Sequence, residues 1–589
     1  LAQMIMLNDW HPDIIEFIIS KMQNPRILRY LVENIEDETV QQLAKDKLKF
    51  TPLTPSEEQM YQGIVNYKHI PGQGGFSEEN IREAENKLRD GGTYSVHNPE
   101  FLTGANISVC ITDEFMKAVE NDEYYELRFP DVESYNEEEM QFYNERWSES
   151  GDVREWENMG FGIKVYQIIK AKELWDLINI CATYSAEPGI FFIDNANKET
   201  NAKAYGQKVV ATNPCGEQPL APYSVCNLAA VNLASIADKE TKQPDFDKLK
   251  QTVEVGVRMQ DNVIDATPYF LDENRKQALG ERRVGLGVMG LHDLLIYCET
   301  EYGTKEGNEL VEQIFETIAT TAYRASIELA KEKGSFPFLI GETDAETHML
   351  RERFISTGYM QKMPEDIKQG VLEHGIRNSH LLTVAPTGST GTMVGVSTGL
   401  EPYFSFTYYR SGRLGKFIEV KADIAEEYYK LNPQVSEDAE LPHWFVTAMN
   451  LSPEAHADTQ CVIQRWVDSS ISKTVNAPKG YRVDQVEKVY RRLYRGGAKG
   501  GTVYVDGSRD TQVLSLKAEE NDLSEQQELF EEEEKKVVLM DTVHELDKTN
   551  VTVGSEVGDT CPVCRKGSVE DVGGCNTCTN CGAQLKCGL

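Results

Sequence analysis

The sequence predicts an α/β protein built on a buried, largely parallel sheet, followed by a charged tether and a small cysteine-rich module. Three observations carry this expectation. From residue 1 to about 515, helix-period stretches alternate with short apolar runs. Residues 516–555 lose that pattern and carry the acidic run 531–534, as a linker does. Six of the twelve cysteines fall between Cys561 and Cys587, which marks 556–589 as a separate module.

The elements follow in order. Residues 11–22 read as an amphipathic helix, with Asp9 near its start and Pro12 in its first turn. Runs 106–112, 190–193, 381–384 and 502–505 are short and apolar enough to be strands. Residues 308–330 carry Leu310, Ile314, Ile318 and Ala322 at helical spacing. Two acidic stretches interrupt the pattern. Residues 34–100, with GQGG at 72–75, and 118–158, with Glu137, Glu138 and Glu139, read as surface insertions with solvated faces. No internal repeat is found.

Composition excludes several functions. The 589 residues hold 60 Lys and Arg against 95 Asp and Glu, a formal net charge of −35. Such an excess of acid opposes binding to nucleic acid or to anionic membranes. The 40% hydrophobic and 26% charged content is that of a globular protein. No apolar run approaches the ~18 residues of a membrane span, and no cationic, apolar leader supports secretion. A cytoplasmic location with reduced thiols is expected, so the cysteines point to metal binding or catalysis rather than to a disulfide scaffold.

In the tail, Cys561 and Cys564 form one C-x-x-C, and Cys578 and Cys581 form another. Two such hooks can place four thiolates around zinc, and a module of about 30 residues needs a metal in place of a core. Cys575 with Cys578 is also a C-x-x-C, so the ligand set stays open; Gly582 favours the Cys578–Cys581 hook. Cys575 and Cys587 are then surplus, and a tethered dithiol could exchange with a disulfide elsewhere.

The densest chemistry lies in 211–233, ATNPCGEQPLAPYSVCNLAAVNL. Asn213, Cys215 and Glu217 stand at i, i+2 and i+4, which in an extended chain puts amide, thiol and carboxylate on one side. An amide can hold a hydroxyl, a carboxylate can take its proton, and a sulfur can do covalent or radical work. Cys226 follows eleven residues after Cys215. APTGSTG at 385–391 is a hydroxyl-rich turn at a helix start, able to offer backbone N–H groups to phosphate; it lacks the Gly-Lys-Ser/Thr of a Walker loop. GLGVMG at 285–290 satisfies G-x-G-x-x-G but follows Glu281, Arg282 and Arg283 rather than a convincing strand. A close-packed helix start is expected there, not a dinucleotide site.

Taken in order, GIFFIDN (189–195), NPCGEQPL (213–220), RRVGLGVMG (282–290), APTGSTG (385–391), STGLEPYFSFTYYR (397–410), KGGTVYVDGSR (499–509) and the cysteine tail resemble the adenosylcobalamin-dependent, class II ribonucleotide reductases. The resemblance runs through the chain apart from the acidic stretches. It implies a ten-stranded α/β barrel with the 213–220 finger loop inside, plus a zinc ribbon. It implies reduction of ribonucleotides to 2′-deoxyribonucleotides, with Cys215 as the thiyl radical, Glu217 as the base, Asn213 holding the ribose hydroxyls and Cys226 as one of two reducing thiols. Pro386, Thr387, Gly388, Ser389 and Thr390 would hold the phosphates, and Cys575 and Cys587 would relay electrons from a thioredoxin- or glutaredoxin-like reductant. Zinc would sit on Cys561, Cys564, Cys578 and Cys581. Tyr504 is followed by Val505, so the tyrosine pair of class I relatives is absent, and the end CGAQLKCGL lacks a glycyl-radical motif; both favour adenosylcobalamin.

Residues 1–4 resemble the strand that follows a substrate-specificity loop of that family. The second active-site thiol, the serine-rich substrate strand and most of the allosteric site are therefore expected in a separate N-terminal part, and a homodimer is a further expected assembly. Two other readings compete: a non-catalytic or complementing fragment, and a zinc-ribbon nucleic-acid-binding protein, which the acidic charge and the absence of a basic patch oppose. Cys110 reads as a buried structural thiol, and Cys181 and Cys298 as core residues.

Overall fold

The strands of the main sheet begin at residue 3 and end at residue 505. The computed structural model describes residues 3–67, 78–98, 104–412, 415–435, 440–506, 508, 514–515, 569–572, 575–579 and 584–587. The chain divides into two compact units, Leu1–Leu514 and Ser515–Leu589.

In the first unit, β1 (Gln3–Asn8), β2 (Ala105–Ile111) and β3 (Gly189–Phe192) pair in parallel. β4 (Asn227–Asn232) and β5 (Val284–Met289) form a second parallel pair, and β6 (Thr474–Ala477) and β7 (Gly500–Val505) a third. Parallel bridges from Leu286 to Leu382 and from Val384 to Ile471 link β5, through 381–384, to the strand that continues into β6. Five strand positions therefore run together. β7 then pairs antiparallel with β3 and joins them to the three of the other side. β5 is buried at every position, and β4, at the end of the row, is mostly half-exposed. Two apolar cores follow the same division. Leu286, Val288, Leu382 and Ile471 pack with helix Lys305–Lys333 in one; Val109, Ile190, Val475 and Val503 pack with helix Ala171–Ser185 in the other.

Most expected elements appear, with shifted ends. The 11–22 helix shortens to Ile14–Ile19 with Asp13 at its N-cap. Asp9 does not cap it: fully buried, it accepts hydrogen bonds from Thr112 N at 2.6 Å and the Tyr125 hydroxyl at 2.9 Å. The expected strand 190–193 ends at Phe192, and Ile193 starts a helix. The acidic stretches are not featureless insertions. Residues 34–100 carry three helices and the antiparallel pair Leu48–Pro52 with Gly92–Val96. Residues 118–158 include the strand Tyr124–Pro130, and they bury Leu127 and Trp156 completely. Their polar faces are the solvated sides of amphipathic elements. Cys110, Cys181 and Cys298 are buried, as expected.

In the second unit, β8 (Val569–Val572), β9 (Cys575–Cys578) and β10 (Gln584–Cys587) form an antiparallel sheet in that order, whose register sets Cys575 opposite Cys587. Cys561, Cys564 and Cys581 lie outside the described residues.

Candidate active site

The finger loop hangs from a two-residue ribbon. Ala211 pairs with Leu220 and Thr212 with Pro219, and residues 213–218 form the tip. Gly216 sits at φ +80, where a side chain would be strained, and its N–H donates to Asn213 O at 3.0 Å. The tip is therefore a turn and not the extended run the spacing suggested. Cys215 is exposed, and Glu217 and Gln218 are buried. Asn213 restores part of the constellation. Its Oδ1 accepts from Gln218 N at 3.0 Å, and its side chain hydrogen-bonds the Glu217 carboxylate.

Both strand groups grip the loop. Asn106 Nδ2 on β2 donates to Pro214 O at 3.0 Å. On the other side Glu217 O accepts from Thr383 Oγ1 at 2.7 Å and from Ser470 N at 3.0 Å. Burial raises the Glu217 carboxyl above its usual range, opposed by the Asn213 hydrogen bond, and one of its oxygens, Oε2, is buried without a partner. The Cys215 thiol is also raised, by desolvation and by the charge of Glu217.

Beside Cys215 opens a cavity of about 210 Å³. Gly189, Gly500 and Gly501 give it bare backbone walls, and Ser108, Thr502 and Lys473 add polar groups. Lys473 was not singled out from the sequence. Its ammonium is buried, pairs with Glu401, and lies 2.9 Å from His456 Nδ1, whose own pKa burial and that cation press down to about 2. Glu401 Oε1 also accepts from Thr474 N at 2.7 Å. A lone lysine in the polar run SISKT gives no sign of burial; only the approach of the 397–410 segment reveals it.

Cys226 is half-buried just before β4, and burial pushes its thiol strongly upward. The glycines of 285–290 explain why it can lie there. Gly285 and Gly287 belong to β5 itself; only Gly290, the N-cap of the helix Leu291–Tyr297, stands at the expected helix start. A Cβ on Gly287 would collide with the Thr383 carbonyl oxygen, and one on Gly285 would meet Thr383 Cγ2 at 2.6 Å and Cys226 Sγ at 2.9 Å. They allow close approach of the strands. Arg282 is structural: it pairs with buried Asp261 at 2.9 Å and with Asp265 at 2.7 Å. Arg283 is buried near Cys226.

The phosphate-turn candidates lie past the end of 381–384. Thr387 adopts φ +49 and its Oγ1 accepts from Gly399 N at 2.7 Å, which fixes the turn. Pro386 and Thr387 are half-buried, Gly388, Ser389 and Thr390 are exposed, and the last three open the short helix Gly388–Met393, whose first amides have no intrahelical acceptor.

A parallel α/β sheet, a buried carboxylate behind a thiol at a loop tip, and a second thiol against a glycine strand now stand together. Residues 1–504 match the family described as "Ribonucleotide reductase, barrel domain". The chain belongs to this ribonucleotide reductase family. Among curated relatives it is 31% identical over 486 residues to the vitamin B12-dependent ribonucleoside-diphosphate reductase of Thermoplasma acidophilum, covering 80% of this chain and 54% of that protein. It is 32% identical over 450 residues to the enzyme of the same name from Mycobacterium tuberculosis, covering 72% and 54%. It is 27% identical over 452 residues to the ribonucleoside-diphosphate reductase subunit alpha of Chlamydia muridarum, covering 69% and 42%. The chain thus spans about half the length of the curated relatives it matches. Among the described residues of this reductase-family chain, no helix is long and apolar enough to cross a membrane, and no group of three or more His, Cys, Asp or Glu could hold a metal ion.

Proposed function

We propose that this chain carries the catalytic loop of a reductase that converts ribonucleotides to 2′-deoxyribonucleotides with adenosylcobalamin as radical source. The observation that carries the reading is the finger loop, with Cys215 open to a cavity and the orphaned Glu217 Oε2 buried behind it. A radical thiol needs room for a reactant, and a carboxylate with a raised pKa can accept a hydroxyl proton. Cys215 would abstract the ribose 3′-hydrogen, Glu217 would take the 3′-hydroxyl proton, and Asn213, bonded to Glu217, would hold the hydroxyls. Cys226 would supply one of the two reducing thiols, and Pro386, Thr387, Gly388, Ser389 and Thr390 would receive the phosphates.

The cavity beside Cys215 suits a nucleoside-sized group, and its bare glycine walls with the Ser108 and Thr502 hydroxyls fit the adenosyl end of the cofactor. When bound, adenosylcobalamin supplies the one-electron oxidation of the Cys215 thiol. The barrel expectation also finds support. Five parallel strand positions on one side and three on the other leave β1 and β4 as edges among the described residues, and two more strands between them would make ten. An N-terminal part would supply those strands and the partner thiol of Cys226, and a homodimer is a further proposed state. In the tail, the register of Cys575 with Cys587 suits a dithiol shuttle for a thioredoxin- or glutaredoxin-like reductant in the cytoplasm, and Cys578 at the end of β9 suits a hook with Cys581 for zinc shared with Cys561 and Cys564.

The test is deoxyribonucleotide formation with adenosylcobalamin and a dithiol, with and without an upstream segment supplied in trans. Wild-type chain should give product with the segment, and Cys215→Ala none; no product from the complemented wild type would sink the reading. Cys575→Ser with Cys587→Ser should spare the first turnover and stop later ones when a protein reductant replaces the dithiol.

A further inference from the structure

The tip of the finger loop, residues 213–216, bonds within itself and to Thr212 and Gln218. Among the described residues, one hydrogen bond reaches it from another element: Asn106 Nδ2 donates to Pro214 O at 3.0 Å. Pro214 immediately precedes Cys215. Asn106 belongs to β2, yet it is exposed, and it lines the same cavity as Cys215.

Pro214 O is an acceptor, so the nitrogen end of the carboxamide must face the loop, and the group cannot flip. That spends one N–H. Oδ1 and the second N–H have no partner among the described residues. The other polar groups of the cavity are less selective or already used. A hydroxyl both donates and accepts, so Ser108 and Thr502 cannot tell an amino group from a carbonyl. Glu187 is paired with Lys21, and Lys473 with Glu401. The fixed carboxamide offers an acceptor beside a donor. Adenine carries the complementary pair, an amino group next to a ring nitrogen, and asparagine is its usual partner.

We propose that Asn106 reads the adenine of a nucleoside seated in this cavity and, through Pro214 O, fixes the loop that carries Cys215. Oδ1 accepts from the adenine amino group while Nδ2 keeps its bond to the loop. Base recognition and placement of the thiol thus pass through one side chain. This rests on the reading of the cavity as the seat of the adenosyl end of the cofactor, but it can be tested without turnover.

The experiment measures iodoacetamide alkylation of Cys215 in the full chain at one fixed pH, by peptide mass spectrometry, with adenosine or inosine added. Inosine carries a carbonyl where adenosine carries the amino group. Adenosine should protect Cys215 at about a tenfold lower concentration than inosine. In Asn106→Leu the two nucleosides should protect alike. Asn106→Leu and Asn106→Asp both lose the donor to Pro214 O, so hydrogen exchange of the 215–218 amides should speed up about fivefold in each. Buried Cys110, on the same strand, should stay unreactive in a folded variant. Equal or absent protection by the two nucleosides in wild type, or wild-type exchange in both folded variants, overturns the proposal. Adenosine-selective protection in a chain that, when complemented, never makes deoxyribonucleotide would uphold the Asn106 site and reject the reductase reading.

Discussion

The two sulfurs of the finger-loop region sit in opposite surroundings. Cys215 is exposed at a turn, beside a cavity walled by backbone of the three-strand side and of β7. Cys226 is wedged on the five-strand side, where glycines let 381–384 and the loop close in on β5. One side is built to admit a ligand and the other to bring protein groups into contact. The difference teaches that two thiols eleven residues apart can be packed for opposite kinds of access.

The first way to break this contrast is through charge on the three-strand side. Burial lifts Asp9 from an ordinary 3.8 to about 7, against the hydrogen bonds from Thr112 and Tyr125 and the charge of Arg154. A carboxyl raised on folding favours the protonated state, so its contribution to stability is full below about pH 4 and is lost as pH rises through 7. Urea titrations should show wild type losing on the order of 4 kcal/mol over that window relative to Asp9→Asn. Equal pH profiles would remove Asp9 as a buried, strained carboxyl.

Close packing on the five-strand side gives the next effect. Gly287→Ala sets a Cβ against the Thr383 carbonyl, which cannot rotate away, and should cost about 3 kcal/mol. Gly388→Ala, in open space at the 385–391 turn, should stay within about 0.5 kcal/mol. Similar losses at the two glycines would erase the distinction between a packed strand and an open turn.

The smallest effect sharpens the link between loop and strand. Thr383→Val keeps the shape but removes the donor to Glu217 O at 2.7 Å, and should cost about 1 kcal/mol in thermal denaturation. No loss would mean that Ser470 N alone suffices to hold the Glu217 carbonyl.

Much of the architecture was legible along the chain because burial leaves a local signature. The apolar runs at 106–112 and 502–505 became central strands, and the spaced Leu310, Ile314 and Ile318 lie in one long helix. The acidic stretches misled because surface charge dominates composition while a few residues, Leu127 and Trp156 among them, make the core. Asp9 misled because a carboxylate near a helix start is usually a cap; here the neighbouring strand offered a buried amide instead.

The sequence by itself determined which candidate groups are available, since the amide, thiols and carboxylate of Asn213, Cys215, Glu217 and Cys226 are chemistry that no packing can supply. The tertiary structure decided how they are used. Gly216 at positive φ turned the loop tip, the glycines of β5 let Thr383 and Cys226 pack against bare backbone, and a distant segment buried Lys473 against Glu401. These contacts join residues far apart in the chain, so their geometry is set by strand order and close approach, which local pattern does not encode.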